Sequence, residues 1–223
     1  MAWSDPGDFT SGQILTAAQM DSVREAMFFG QATFTNEAAR DAAIPATGIA
    51  LQEGMTAYLT APTVPAATGT TTAIPTGVTT IYNGSVWVCT TPVGANSNTS
   101  GTTNNAGFVT TLTGDATAIS ATLVTGTTAL LSIYVFGSNN GAAGLLNYGA
   151  TYSVSGATTV AANFADGARH SISGGAAGTH ASVTRIVTGL TAGTNTFTLN
   201  YTAQNAASVS TYTERRLVVQ GIA

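Results

Sequence analysis

The stretch GLTAGTNTFTLNY, residues 189–201, contains a turn followed by a strand in which apolar and polar residues alternate. Phe197, Leu199 and Tyr201 share one face of this strand, and two threonines and an asparagine occupy the other face. A period of two residues is typical of a strand that buries one side. The stretch therefore predicts a β-sheet with one side against a hydrophobic core.

The second half of the chain repeats this pattern of short strand-like runs separated by turn residues. With weaker runs around Val160 and His170, seven to nine strands are predicted. This number and spacing are typical of two packed antiparallel sheets. We therefore predict a mainly β protein with a C-terminal antiparallel β-sandwich of the jelly-roll type. The seven clear runs cover residues 108–113, 119–124, 129–136, 150–154, 182–190, 195–201 and 215–222.

The N-terminal part shows helical signals instead. Thr16 precedes a helical pattern, and Gln19 completes a capping box with it. A second, shorter helix is predicted at residues 37–43, because Asn36 can cap its start and Pro45 must end it. A short helical segment is therefore expected before the strands.

A β-hairpin is the strongest turn signal in the chain. Residues 79–88, with the sequence TTIYNGSVWV, place Asn83 and Gly84 between two β-branched and aromatic runs. Asn-Gly is the preferred pair for a two-residue type I′ turn. Such a turn predicts that Ile81 lies opposite Val86.

These signals divide the chain into three parts. Residues 1–95, which include an alternating strand at 55–59, form a predicted N-terminal region of helices and hairpin. Within it, residues 61–77 contain three prolines and predict a long exposed connection. Residues 96–106 are rich in Asn, Ser, Thr and Gly and predict a linker, and residues 107–223 form the predicted sandwich.

The composition argues against several classes of function. Only 7% of the residues are charged, none is lysine, six are arginine, 41 of 223 are threonine, and the net charge is −4. Binding to nucleic acid or to an anionic membrane surface needs a basic patch, and none is available. Nucleic acid and membranes are therefore excluded as expected partners.

Neither export nor disulfide bonding is expected. Asp5 and Asp8 stand where a secretory signal needs basic and then apolar residues, and no apolar stretch reaches the length of a membrane span. Cys89 has no second cysteine in the chain and is interpreted as a small buried hydrophobic residue beside Trp87.

Catalytic motifs are absent from the sequence, and we predict no enzyme activity, no catalytic residue and no cofactor. One cluster contains three residues of metal-ligand types, Asp166, His170 and, further along, His180, with Arg169 next to His170. Its spacing matches no standard metal pattern, so no metal site is predicted. Polar residues on an exposed loop are one interpretation. Histidines that meet on the axis of three copies are the other.

Five tyrosines allow two interpretations. They form either a stacking platform for a sugar or parts of the core and of subunit interfaces. They are Tyr134, Tyr148, Tyr152, Tyr201 and Tyr212.

The edges of the predicted sandwich lack the lysines that usually protect exposed strands. Coverage of these edges by another copy of the chain is the first interpretation. The alternative is that polar Thr and Ser faces and short, glycine-broken edges suffice without a partner.

A series of motifs runs in order through residues 3–87: WSDP at 3–6, FTSGQILTAAQM at 9–20, ATF at 32–34, EAARDAAIP at 37–45, EGM at 53–55 and IYNGSVW at 81–87. In order and spacing they resemble the N-terminal region of minor virion proteins of tailed bacteriophages. The ending, residues 190–219, is similar to the closing strands of the jelly-roll-like domains that often follow in those proteins.

This resemblance implies a structural virion protein that is assembled in the host cytoplasm and displayed outward as a homotrimer. Residues 1–95 would bind other virion proteins, either of the capsid, as a decoration or head fibre, or of the tail, as a minor tail or tail-fibre protein. The alternative is a carbohydrate-binding adhesin module that recognises a glycan on the host cell surface.

Overall fold

Alternate burial runs along the long strands of this protein, as the period of two in the sequence predicts. The computed structural model describes residues 32–46, 50–140, 145–173, 178–203 and 206–223. The helix predicted to start at Thr16 lies outside these residues. The described residues contain one α-helix, one short 3-10 helix and fifteen strands.

The helix α1 is Glu37–Ala46, and the 3-10 helix is Phe164–Asp166. In chain order the strands are β1 (Ala32–Phe34), β2 (Thr56–Leu59), β3 (Ala66–Thr68), β4 (Thr71–Ala73), β5 (Val78–Tyr82), β6 (Trp87–Cys89), β7 (Val93–Ser97), β8 (Gly101–Thr103), β9 (Ser120–Thr125), β10 (Thr128–Asn139), β11 (Leu145–Gly156), β12 (Ala168–Ser173), β13 (Thr179–Thr188), β14 (Gly193–Thr202) and β15 (Ser210–Ile222).

Most of these strands belong to two antiparallel sheets. The front sheet has the order β13-β10-β15-β7-β4, with β8 also paired to β15, and the back sheet has the order β12-β11-β14-β9-β3. The eight strands β7 and β9 to β15 thus divide into the quartets β13-β10-β15-β7 and β12-β11-β14-β9. This division of eight strands between two sheets is the jelly-roll topology. The predicted jelly-roll sandwich is confirmed.

The core lies between the two sheets. Leu131, Ile133 and Val135 of β10 are at most 1% exposed, and Phe197 and Leu199 of β14 are fully buried. The same core takes in the side sheet, which has the order β1-β2-β5-β6. Burial of its members lowers the free energy of the folded state because apolar surface leaves water. Among the members contributed by the side sheet are Leu59, Val78 and Cys89.

Two predictions for the side-sheet region are confirmed. In β2, Ala57 and Leu59 are fully buried and alternate with half-buried neighbours. Cys89 is 2% exposed, and burial raises the pKa of its thiol. Ala57 and Leu59 are buried because the side chains of β2 point alternately to its two faces. The neutral thiol of Cys89 packs in the core as a small apolar group.

Helix α1 begins where it was predicted to begin. The Asn36 side chain accepts a hydrogen bond from the backbone N–H of Ala39 at 2.9 Å, which caps the first turn. The helix continues to Ala46 and includes Pro45, so the predicted end at residue 43 was three residues too early. Pro45 has no N–H to donate, and the helix ends one residue after it.

Arg40 joins this helix to the hairpin of the side sheet. Its side chain is buried, with the guanidinium carbon 4.6 Å from the centre of the Trp87 ring. It also donates to the Thr80 hydroxyl at 3.5 Å and forms an ion pair with Asp41 at 2.8 Å. An arginine stacked on tryptophan combines a cation–π attraction with burial of its aliphatic part.

The hairpin exists, but its predicted register is wrong. Ile81 lies opposite Val88 and Tyr82 opposite Trp87, a shift of two residues. Asn83 is not a central turn residue: its backbone N–H donates to the Val86 carbonyl, and its side-chain oxygen accepts from the Val86 N–H. This side-chain bond replaces a backbone bond, so the turn is centred one residue later than an Asn-Gly turn would be.

We expect Gly84→Val to lower the free energy of unfolding by about 1 kcal/mol or more, because Gly84 has a φ of +87°, which a β-branched residue adopts only with strain. The matched control is Gly84→Asn, since asparagine tolerates this region. Equilibrium unfolding in urea measures both. If the two variants were equally stable, the positive φ of Gly84 would not be the cause of the loss of stability.

Two predicted connections are strands instead. The proline-containing stretch 61–77 contains β3, which pairs with β9, and β4, which pairs with β7. The predicted linker 96–106 contains the end of β7 and all of β8, both paired with β15. The boundary at 95–107 is therefore wrong, because the sandwich includes strands from residue 66 onward. These strands are short and polar, and only their distant partners make them strands.

One predicted strand is not extended. Residues 108–113 make only isolated bridges, from Val109 to Tyr201 and from Thr113 to Thr102. Gly114 follows with a φ of +92°, and Leu112 and Asp115 close a tight turn around it. The chain reverses at this turn, so the run cannot continue as a strand.

Candidate functional site

The outward side of the front sheet, which we call the front face, combines apolar and neutral polar residues. Ile186 on β13 is 59% exposed, and Val218 on β15 is 41% exposed. The register places Leu130 of the central strand β10 directly opposite Ile186, with Ser132 opposite Val218. An exposed face of this kind, where apolar residues are adjacent, is typical of a protein contact surface.

An aromatic cluster lies at one end of the front face. The ring of His180 is 4.5 Å from that of Phe136 and 5.5 Å from that of Tyr134, measured between centroids. The Tyr134 hydroxyl and His180 Nδ1 share a hydrogen bond. These three residues come from β10 and β13, where Phe136 and His180 are direct cross-strand partners.

Two charged residues from β15 complete this cluster. The Arg216 guanidinium carbon is 5.4 Å from the Tyr134 ring centre, and Arg216 and Glu214 form an ion pair at 3.7 Å. Desolvation and the neighbouring Glu214 carboxylate raise the pKa of Tyr134, so its hydroxyl stays protonated. Tyrosine, arginine and an aromatic neighbour are the residue types that dominate binding energy at protein interfaces.

A β-bulge brings Glu214 to this cluster. The pairing of β10 with β15 shifts between Phe136 and Gly137, so that Thr213 is an extra residue on β15. The inward positions of β15 therefore change from even numbers, such as Tyr212, to odd numbers, such as Arg215. Bulges redirect side chains in this way. The strand predicted from the sequence began at residue 215, and alternation of residue types does not reveal the bulge that turns Glu214 outward.

The predicted cluster of Asp166, Arg169, His170 and His180 is not one site. Asp166 forms an ion pair with Arg185 at 2.8 Å, whereas His180 belongs to the front face. Arg169 stacks on the ring of Phe164, which is not a member of the predicted cluster. His170 is in β12, opposite Tyr148. In the part of the chain that the structure describes, no three His, Cys, Asp or Glu side chains lie close enough to share a metal ion.

The four of these tyrosines whose side chains the structure describes do not form a common platform, and the side chain of Tyr148 lies outside the described part. Tyr152, Tyr201 and Tyr212 are at most 5% exposed and belong to the core, whereas Tyr134 lies on the front face. The Tyr212 hydroxyl contacts the carbonyls of Gly149 and Thr202 at 2.9 and 2.8 Å, which ties β15 to the back sheet. For these residues the interpretation as core and surface-contact residues fits better than a sugar platform does.

A buried ion pair closes the core below the front sheet. The Arg215 side chain is fully buried and binds the Asp115 carboxylate, whose side chain is 5% exposed. Asp115 also accepts from the Ser97 hydroxyl at 2.6 Å and from the Thr117 N–H at 3.0 Å. Arg215 donates further to the Thr99 carbonyl at 2.9 Å. The pair thus holds the chain around residues 97–117 against β15.

The protonation of Asp115 follows from these bonds. Burial by itself would raise the pKa of Asp115, but the hydrogen bonds from Ser97, Thr117 and Arg215 outweigh it and lower the pKa to about 2. Asp115 is therefore ionised at neutral pH. The nearby Tyr201 shows the opposite effect, because burial raises the pKa of its hydroxyl.

The lowered pKa predicts a loss of stability in acid. Because the folded-state pKa lies below the ordinary value of 3.8, the contribution of Asp115 is complete above that value and disappears as the pH falls from 3.8 through about 2. We expect a loss of about 2 kcal/mol from this group across that interval. Urea unfolding of the parent and of the double variant Asp115→Leu/Arg215→Met at several pH values measures it. Parallel pH curves would contradict the assignment.

No helix in the described residues is long and apolar enough to cross a membrane.

Sequence comparison identifies no relative: no protein-family model matches the chain, and no curated protein matches it. Solved structures similar to parts of it include Eiger TNF from S. frugiperda, with 8% identity, coverage of 48% of this chain and 66% of that chain, and a TM-score of 0.35. Another is infectious bursal disease virus, Gx strain, with 12% identity, coverage of 65% and 41%, and a TM-score of 0.34.

A third similar structure contains the CBM22-1-GH10 modules of Clostridium thermocellum xylanase 10B with xylohexaose, at 11% identity, coverage of 56% of this chain and 27% of that chain, and a TM-score of 0.31. The chain covers less than two thirds of the length of each of these structures. The strand order defines the class of this protein as a jelly-roll β-sandwich.

Proposed function

We propose that this protein is a non-enzymatic structural component of a tailed-phage virion, displayed on the particle surface as a homotrimer. The observation that carries the proposal is the front face, on which the exposed Ile186, Val218 and Ile222 lie on the same sheet as the Tyr134 cluster. Large exposed apolar surfaces are rare on monomeric proteins, and those that occur often mark contact sites.

The charge of the front face favours a second copy of the same chain as its partner. Its ionised residues in the described strands are Glu214 and Arg216, which already neutralise each other. Two parts of a neutral surface can pack without repulsion, whereas a basic or acidic partner would find no complementary charge there. In a ring of three copies, such a contact also covers the β13 edge of the sheet.

The N-terminal motifs support the virion assignment through their packing. Arg40, from the motif at 37–45, stacks on Trp87, from the motif at 81–87, at 4.6 Å. Glu37 of the first motif accepts hydrogen bonds from the N–H groups of Thr63 and Val64. The motifs at 37–45 and 81–87 thus pack against each other, and we propose that the N-terminal part of the chain that contains them binds the capsid or the tail.

Light scattering of the full chain at micromolar concentration tests the trimer. We expect three times the chain mass of 22.3 kDa. A stable monomer at all concentrations would show that the front face has no partner of its own kind. Cryo-microscopy of purified particles tests the virion assignment and separates its two locations, capsid and tail, because the density of the protein lies on one or the other.

A further inference from the structure

A second surface cluster lies on the opposite side of the molecule, at the end of the back sheet. The rings of Phe108 and Phe164 are stacked with 6.3 Å between centroids and 30° between planes. Phe108 is 36% exposed, and Phe164 is half-buried. The Arg169 guanidinium carbon is 5.2 Å from the Phe164 ring centre. Burial does not explain this group, because Phe108 and Arg169 both reach solvent.

The backbone holds both rings in place. Val109 exchanges two hydrogen bonds with Tyr201 of β14, at 3.0 and 2.8 Å, which fixes Phe108 beside the sheet. Phe164 begins the 3-10 helix, which Asn163 caps through its side chain. The Asn163 carbonyl also accepts from the Thr151 hydroxyl of β11 at 2.7 Å. The pair of rings is therefore preorganised by contacts with two neighbouring strands.

The part of the sheet next to the rings is polar, uncharged and buried: Thr151 is 1% exposed and Asn200 is 5% exposed. Thr151 lies directly opposite Asn200, whose amide donates to the Ser153 hydroxyl at 2.9 Å. Further along, the hydroxyls of Thr122 and Thr196 share a hydrogen bond at 2.8 Å. Thr151 and Asn200 are buried and already hydrogen-bonded within the protein, so the hydroxyls of this sheet that solvent reaches include the half-buried ones of Ser153, Thr122 and Thr196.

The positive charge of Arg169 is not neutralised by a carboxylate of the described residues. Among the described residues, no acidic side chain forms an ion pair with it, and Asp166, three residues earlier, is paired with Arg185. The guanidinium is held against the Phe164 ring and can bind a carboxylate through two parallel hydrogen bonds. The site therefore presents stacking surface, hydroxyl partners and one positive charge together.

We infer that Phe108, Phe164 and Arg169 bind an acidic sugar, with its ring on the phenylalanines and its carboxylate on Arg169. A sugar ring offers an apolar C–H face and hydroxyls, which match the phenylalanine rings and the half-buried Ser and Thr hydroxyls of the back sheet. Single-stranded nucleic acid also stacks on aromatic rings, but it needs a basic groove along its backbone. This chain has six arginines, no lysine and a net charge of −4.

The test uses the full chain on an array of uronic-acid and sialic-acid oligosaccharides, each beside its carboxyl-reduced form. The parent is expected to bind acidic sugars and to bind the reduced forms about tenfold or more weakly, because the charge-assisted bonds to Arg169 are lost. Arg169→Gln should remove this difference between acidic and reduced sugars. Phe164→Ala should weaken binding to both forms. Ile74→Ala, which changes an exposed apolar residue elsewhere, should bind as the parent does.

Several results would overturn the inference. One is that no acidic oligosaccharide binds the parent better than it binds Phe164→Ala. Another is that Arg169→Gln keeps the full preference for acidic sugars. Binding of single-stranded oligothymidine that Phe164→Ala abolishes would identify a base-stacking site instead. Arg169 is exposed, so its variant keeps the test valid if Phe164→Ala fails to fold, as monitored by circular dichroism. The result is independent of the oligomeric state.

Discussion

Replacement of Asp115 by alanine is expected to lower the free energy of unfolding by about 3–5 kcal/mol, because it leaves a fully buried arginine without its counter-charge. Few other groups would stabilise the buried charge of Arg215. In the described part of the structure its Nε and Nη1 atoms have no hydrogen-bond partner. Equilibrium unfolding in urea, followed by circular dichroism, measures the loss.

Two further variants separate the effect of the buried charge from that of packing. The double variant Asp115→Leu/Arg215→Met removes both charges and should recover most of the lost stability, because apolar residues of similar size replace buried pairs well. Asp166→Ala breaks an ion pair whose side chains are 33% exposed and should cost about 1 kcal/mol or less. If Asp115→Ala costs no more than Asp166→Ala, the buried pair is not a stabilising contact.

The second large effect concerns assembly. The double variant Ile186→Glu/Val218→Glu introduces two carboxylates per copy into the front face and is expected to convert the proposed trimer into a monomer of 22.3 kDa. Burial of these charges without partners costs more than the contact gains. Light scattering measures the mass, and the thermal transition of the monomer shows that the sandwich remains folded.

The matched control places the same charges on the opposite sheet. Thr194→Glu/Ser155→Glu changes two exposed residues of the back sheet and should leave the trimer intact. If the front-face variant remains a trimer at micromolar concentration, copies associate through another surface. If the back-sheet control alone dissociates, the two faces have been assigned the wrong way round.

The parts of the fold that could be predicted are those with a local period. The run at 119–124 matches β9 to within one residue, and the runs at 129–136 and 195–201 lie within β10 and β14, because alternation of apolar and polar residues appears in any window of the strand. The short strands β3, β4, β7 and β8 show no such period. They became strands through pairing with distant parts of the chain: β3 pairs with β9, β7 and β8 pair with β15, and β4 pairs with β7.

The candidate sites were predicted only in part. His180 was noted, but with the wrong neighbours, because partners across strands depend on register. Phe136 and Tyr134 were recognised as strand residues, and Glu214 was missed because a bulge shifts β15 by one position. Phe108 and Phe164 are separated by 56 positions, and no sequence pattern joined them.

The sequence by itself determined the class of this protein: a threonine-rich, charge-poor chain with alternating strands, which can bury a core only as a sandwich. Only the tertiary structure determined which distant residues come into contact on the surface and in the core. Pairing register placed His180 against Phe136, closure of the core buried Arg215 with Asp115, and the bridge at Val109 brought Phe108 to Phe164. Alternation is a local property of the chain, whereas each of these contacts requires long-range pairing of strands.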